Sequence, residues 1–164
     1  MRVYIDNCCY NRPFDDRTNI KNYLEREAIL LVFELVYEKQ ITVTGSEVLQ
    51  KEMSVMTNYY RRRQVQLIYN NLVSKEVKLD EDMIKQAKEL SRDICTTPFD
   101  SLHLAAAEEN TDVFLTTDIK LIKAGKRADL SYEVMNPIDF IMEVGKNEQY
   151  SKNNESGNDT EARN

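Results

Sequence analysis

Short apolar runs alternate with longer stretches of helical period along the first 144 residues. Val3 and Ile5 point one way and Tyr4 the other, which predicts a strand over Arg2–Asp6 with Asp6 at its C-terminal end. Residues 7–19 carry Arg12-Pro13 and Asp15-Asp16 and read as a loop. From Ile20 to about Lys39, Leu24, Ala28, Leu31 and Leu35 recur on one side, with Leu30, Val32, Phe33 and Val36 filling in. That pattern predicts a long helix, polar at its start and largely buried later. Ile41–Thr44 is a second short strand, closed by Gly45. Ser46 caps a helix reaching about Asn58, and another helix runs from Tyr59 through Leu72. Val77–Leu79 is a brief extended piece. Asp80 then caps a helix in which Met83, Ala87, Leu90 and Ile94 form a core stripe.

The second half continues the alternation. Thr97 suits an N-cap and Pro98 the first helical position, opening an alanine-rich helix. Val113–Thr116 reads as a buried parallel strand, followed by a short helix with Ile119, Leu121 and Ile122. Tyr132–Met135 is an edge strand, and Pro137 begins a terminal helix through Val144. Strands alternating with helices predict an α/β fold around a mostly parallel sheet. From about residue 145 to 164 the chain turns to Asn, Glu, Ser, Lys and Gly. Apart from Tyr150 it has almost nothing to bury, so a disordered polar tail is expected.

Composition narrows the class. The chain has 164 residues, 41% hydrophobic and 30% charged, which fits one globular domain. No apolar run reaches membrane-spanning length, and Asp6 comes too soon for a signal peptide. A cytoplasmic protein without a membrane partner is expected. Cys8, Cys9 and Cys95, odd in number with two adjacent, suggest neither a disulfide framework nor a zinc site. A net charge of −6 argues against a general basic surface for nucleic acid, though not against an acidic site that recruits cations.

Four acids then stand out. Asp100 shares a helix face with His103, Leu104 and Ala107, yet Thr97-x-x-Asp100 is also a capping box. Glu52 lies within the apolar arc of Val48, Leu49, Met53, Val55 and Met56, so it needs a cation or an arginine. Asp6 ends a strand where α/β sheets gather their ligands, or it opens a turn with Asn7. Asp118 ends another strand or serves as an N-cap. If all four converge, like charges raise one another's pKa, and a hard divalent cation, Mg²⁺ or Mn²⁺, resolves the conflict. His103, the only histidine, either supports such a site or bonds a carbonyl or a nearby acid. Tyr59-Tyr60-Arg61-Arg62-Arg63 is either a phosphate- and base-binding run or a solvated helix face. Arg12 is either a phosphate contact or a structural loop residue.

The order Asp…Glu…Asp…Asp, with Ser46-x-x-x-x-x-Glu52, Phe99-Asp100-Ser101-Leu102-His103-Leu104-Ala105-Ala106-Ala107 and Phe114-Leu115-Thr116-Thr117-Asp118, resembles a PIN domain over residues 1–144. The resemblance implies a three-layer α/β/α sandwich and a metal-dependent ribonuclease, with toxins of toxin–antitoxin pairs among its relatives. It implies that Asp6, Glu52, Asp100 and Asp118 form the acidic metal site, Asp6 and Asp100 closest to the ion. Glu52 would complete the set or hold a metal water, and Asp118 would act through water or a second ion. Thr116 and Thr117 would orient it. RNA is the implied substrate, a small antitoxin the implied inhibitor, and a homodimer the common assembly. The chain departs from the pattern at Asn7-Cys8-Cys9, where many members carry Ser or Thr after the first Asp, and in its longer Asn11–Asp16 loop. Asn7 retains the capacity to hydrogen-bond a metal water or phosphate. A PIN-like scaffold that binds RNA or protein without cutting is the alternative function. A haloacid-type phosphatase or receiver is disfavoured: Cys8 stands where the phosphatase needs a second Asp, and no lysine ends the late strand.

Overall fold

A computed structural model describes residues 1–94 and 96–146. Cys95 and residues 147–164, the bulk of the expected tail, lie outside the described residues. Five strands form one sheet: β1 (Arg2–Ile5), β2 (Thr42–Ser46), β3 (Val73–Val77), β4 (Val113–Leu115) and β5 (Glu133–Met135). Their spatial order is β3-β2-β1-β4-β5, and each neighbouring pair is parallel. The helices are α1 (Asn7–Asn11), α2 (Ile20–Tyr37), α3 (Glu47–Ser54), α4 (Tyr59–Leu72), α5 (Glu81–Ile94), α6 (Pro98–Ala107), α7 (Ile119–Gly125) and α8 (137–146). They sandwich the sheet in a three-layer α/β/α arrangement.

Side-chain alternation along β1 builds both layers. Val3, Tyr4 and Ile5 are fully buried, as central parallel strands require. Tyr4 stacks on Phe114 of β4, its register partner, at 5.0 Å between centroids, and lies edge-on to His103 of α6. Elsewhere in the core Tyr10 of α1 packs on Phe33 of α2 and Tyr69 of α4. Gly45 permits this closeness: a Cβ there would stand 2.2 Å from the Tyr69 hydroxyl. Each buried aromatic or aliphatic side chain of this size contributes about 1.5–3 kcal/mol. The strand order reverses at β1, so the C-terminal ends of β1, β2 and β4 open onto one crevice, where α/β sheets hold ligands.

Four local expectations are corrected. The expected loop after Asp6 holds α1 and a 3₁₀ turn over Arg12–Phe14. In α2 the buried residues are Glu25, Ala28, Ile29, Val32 and Phe33, whereas Leu24 and Leu31 are 50% and 43% exposed. The buried stripe is therefore rotated toward an acid, Glu25, that ion-pairs with Arg12. α3 stops at Ser54, earlier than about Asn58. The third strand covers Val73–Val77 rather than Val77–Leu79; as an edge strand it buries only Val77 fully, which hides its pattern. Among the described residues no helix is long and apolar enough to cross a membrane.

Candidate metal centre

Asp6 leaves β1 at its C-terminal end and stands as the N-cap of α1, with extended backbone and no cap bond from its side chain. That carboxylate is instead held from β4 and α1. Thr116 Oγ1 donates to Asp6 Oδ2 at 2.7 Å, and Cys8 Sγ donates to the same oxygen at 3.1 Å. Oδ1 takes no hydrogen bond from the described residues. The Asp118 N–H donates to Thr116 Oγ1 at 3.1 Å, and the Thr117 N–H donates to Cys8 Sγ at 3.3 Å, so the turn after β4 braces both donors. Burial pushes the Asp6 carboxyl above the ordinary carboxylate range. The neighbouring His103 ring and the Thr116 and Cys8 hydrogen bonds pull the other way, and the negative charge of Glu52 adds to the rise.

Ser46 caps α3 by accepting the Leu49 N–H, which starts the helix carrying Glu52 at the end of β2. His103 comes from α6 and is almost wholly buried. Its Nε2 lies 3.0 Å from Glu52 Oε2 and its Nδ1 2.9 Å from the Tyr4 hydroxyl. Burial opposes the charge on Glu52. The His103 hydrogen bond and the closeness of its ring, with a smaller contribution from Asn7, outweigh it and hold the carboxyl below its ordinary value. Ligand atoms of Asp6, Glu52 and His103 all lie within 4.8 Å of one another, a group that could hold a divalent cation. Two carboxylates and an imidazole suit such an ion chemically. Among the described residues no arginine or lysine forms an ion pair with Asp6 or Glu52.

The other acids take different places. Asp100 closes a capping box: its Oδ2 accepts the Thr97 hydroxyl at 2.6 Å and the Thr97 N–H at 3.3 Å, while Thr97 Oγ1 accepts the Asp100 N–H. Asp118 caps α7 through Oδ1, which accepts the N–H groups of Lys120 and Leu121. Neither belongs to the close group, although Asp100 begins the turn that leads to His103 and Asp118 is one residue from Thr117. Asn7 is buried beside Asp6, and its Oδ1 accepts from Asn11. Thr117 Oγ1 accepts from Arg12 Nη2 at 2.8 Å.

The arginines sort themselves by partner. Arg12 also bonds Asp15 at 2.7 Å and the fully buried Glu25 at 3.1 Å, so it is a structural hub. Arg61 pairs with Asp15 and reaches the Asn11 carbonyl. Arg62 donates to the carbonyls of Ser54 and Met56 and sits over the Tyr59 ring at 5.6 Å. Arg63 is exposed and lines an open groove of about 800 Å³ between α3 and α4, with Gln50, Gln64, Gln66 and Asn70. None of that groove's lining residues belongs to the cation group. Sequence reading allowed His103 a nearby acid without naming Glu52, and it missed the Cys8 bond to Asp6. The signal for the first was present: one histidine on an inward helix face and one glutamate within an apolar arc each lacked a partner.

No family model matches the chain, and no curated protein matches it. Among solved structures, a chain of the FitAcB crystal structure from Neisseria gonorrhoeae is similar, with a TM-score of 0.55 at 15% sequence identity. The alignment covers 82% of this chain and 97% of that chain. The likeness establishes a shared fold, and with the acidic group at the strand ends it supports a PIN-like architecture.

Proposed function

We propose that the chain is a Mg²⁺- or Mn²⁺-dependent endoribonuclease, acting as the toxin of a toxin–antitoxin pair in the cytoplasm. The observation that carries this reading is the convergence of Asp6, Glu52 and His103 at the sheet's C-terminal edge, where among the described residues no arginine or lysine pairs with either carboxylate. A divalent cation bound there would neutralise phosphate oxygens and lower the pKa of a bound water, giving hydrolysis to 5′-phosphate and 3′-hydroxyl ends. The chain's own residues prepare the place. Thr116 and Cys8 hold Asp6 Oδ2 and leave Oδ1 without a hydrogen-bond donor among the described residues, free for a ligand. His103 holds one oxygen of Glu52. Asp100 and Asp118 each keep one carboxylate oxygen outside their caps and serve the site through water. Asn7, buried next to Asp6, supports the Glu52 carboxylate. Arg63, in the groove beside α3, is the candidate phosphate contact, with the exposed Tyr59 and Tyr60 as stacking surfaces.

The experiment is cleavage of structured RNAs with Mn²⁺ or Mg²⁺, beside Asp6→Asn and excess EDTA. Cutting should vanish with either change, and Mn²⁺ affinity should fall more than about 100-fold in Asp6→Asn, beyond the loss usual for outer residues of a metal site. Cutting that survives EDTA would overturn the reading. One observation favours the non-cutting scaffold: two of the four acids are engaged in helix caps. Failure to bind Mn²⁺ at millimolar concentration would select that alternative. We further propose a small antitoxin as protein partner. Exposed Ile20, Tyr23, Leu24 and Leu31 on α2 support a protein contact, and a homodimer through the same residues is the competing assembly, separable by analytical ultracentrifugation.

A further inference from the structure

A buried chain of hydrogen bonds runs from β2 to the candidate cation group. Ser46 Oγ lies 2.7 Å from the Tyr4 hydroxyl, that hydroxyl 2.9 Å from His103 Nδ1, and His103 Nε2 3.0 Å from Glu52 Oε2. Ser46 and Tyr4 are fully buried and His103 nearly so. The direction of the chain follows from counting protons. Ser46 Oγ already accepts the Leu49 N–H, so its own proton can go to Tyr4. A phenol carries its proton at neutral pH, and with its oxygen accepting from Ser46 the Tyr4 proton goes to Nδ1. Nε2 then carries the ring proton and donates it to Glu52. The reverse direction would set the Nε2 lone pair against a carboxylate at 3.0 Å. It would also leave the Ser46 hydroxyl proton without an acceptor among the described residues.

We propose that Tyr4, backed by Ser46, is a positioning residue of the metal site: it holds His103 as the Nε2–H tautomer, so that His103 orients Glu52 and stays out of the ligand set. The cation is then held by carboxylate and water oxygens alone, the donor set of a hard ion rather than of zinc. The functional consequence rests on the nuclease reading above; the hydrogen-bond chain does not.

His103 is the sole histidine, so the imidazole ¹⁵N signals of untagged, ¹⁵N-labelled protein belong to it alone. Neutral-pH spectra should show a protonated Nε2 and a bare Nδ1 that accepts a hydrogen bond. A protonated Nδ1, alone or in a doubly protonated ring, would overturn the proposal. Tyr4→Phe keeps the ring stacked on Phe114 and removes only the hydroxyl. It should give a mixed tautomer and weaken Mn²⁺ binding by about 10-fold, the low end for a residue that orients a ligand. Pulsed electron paramagnetic resonance of Mn²⁺ bound to the unmodified chain should show no directly coordinated ¹⁴N. Direct nitrogen coordination, or a Tyr4→Phe protein unchanged in both tautomer and Mn²⁺ affinity, would also overturn it. If the unmodified chain binds no Mn²⁺, the nuclease reading fails while the imidazole spectra still decide the hydrogen-bond chain.

Discussion

Two acidic clusters lie close along the chain and are built on opposite principles. Asp15 and Glu25 are matched by Arg12 and Arg61, with Lys21 at 3.5 Å from Glu25 and Asn136 donating to it at 2.8 Å. Their charges are balanced within the protein, and the cluster ties α1, the 3₁₀ turn, α2 and α4 together. Among the described residues Asp6 and Glu52 have His103, a hydroxyl, a thiol and the Asn7 amide around them, and no arginine or lysine. The first cluster is charge-balanced by the chain's own guanidinium and ammonium groups; among the described residues the second has no arginine or lysine paired to it. A count of acids does not separate a structural cluster from a ligand site. The position of the guanidinium groups does.

The contrast can be broken from either side, and the largest effect belongs to the balanced cluster. Arg12→Ala leaves the wholly buried Glu25 with only Lys21 and Asn136. It should cost about 3 kcal/mol in urea unfolding, the low end for a broken buried pair. In the cation group, Thr116→Val removes the shortest hydrogen bond to Asp6. Mn²⁺ affinity by calorimetry should fall about 10-fold with little change in unfolding midpoint. Asp118→Asn keeps a good cap and deletes one charge. A loss of about threefold in cleavage at unchanged stability would separate its service to the site from its service to α7. The smallest effect is one of sign. Because the folded protein raises the Asp6 pKa, the charged form is disfavoured, and that contribution to stability is lost as pH rises through the folded value. Asp6→Asn should therefore stabilise the metal-free protein at pH 7, and the gain should fade toward acid pH. Glu52, lowered, contributes in the opposite sense and loses its contribution as pH falls through its folded value.

The parallel sheet and its helices were legible because central strands such as Val3-Tyr4-Ile5 and Val113-Phe114-Leu115 are continuously buried, and because Ser46, Thr97 and Asp118 announce helix starts. The α2 stripe was misread for a reason apolar counting cannot see: Glu25 points inward because Arg12, far from α2's own pattern, meets it there. The site was half legible. The structure brings Asp6 and Glu52 together, with His103, at the sheet's C-terminal edge. Asp100 and Asp118 sit in the caps that their sequence contexts also announced, and the spacing alone held no information on which use each oxygen would serve. Arg12 looked available for phosphate because Pro13 and Asp15-Asp16 suggested an open loop. The 3₁₀ turn instead aims its guanidinium at Asp15, Glu25 and Thr117.

That guanidinium has one more effect. By gripping Thr117 while its own segment continues from Asp6 through α1, Arg12 staples the end of β1 to the end of β4 from outside the site. The strand pairing, extended by the Asp6 N–H bond to the Leu115 carbonyl, fixes the spacing between Asp6 and Thr116, and Arg12 braces it without an ion. Under the metal reading, chelation should leave the arrangement of these side chains unchanged, and a cation should meet a vessel already formed.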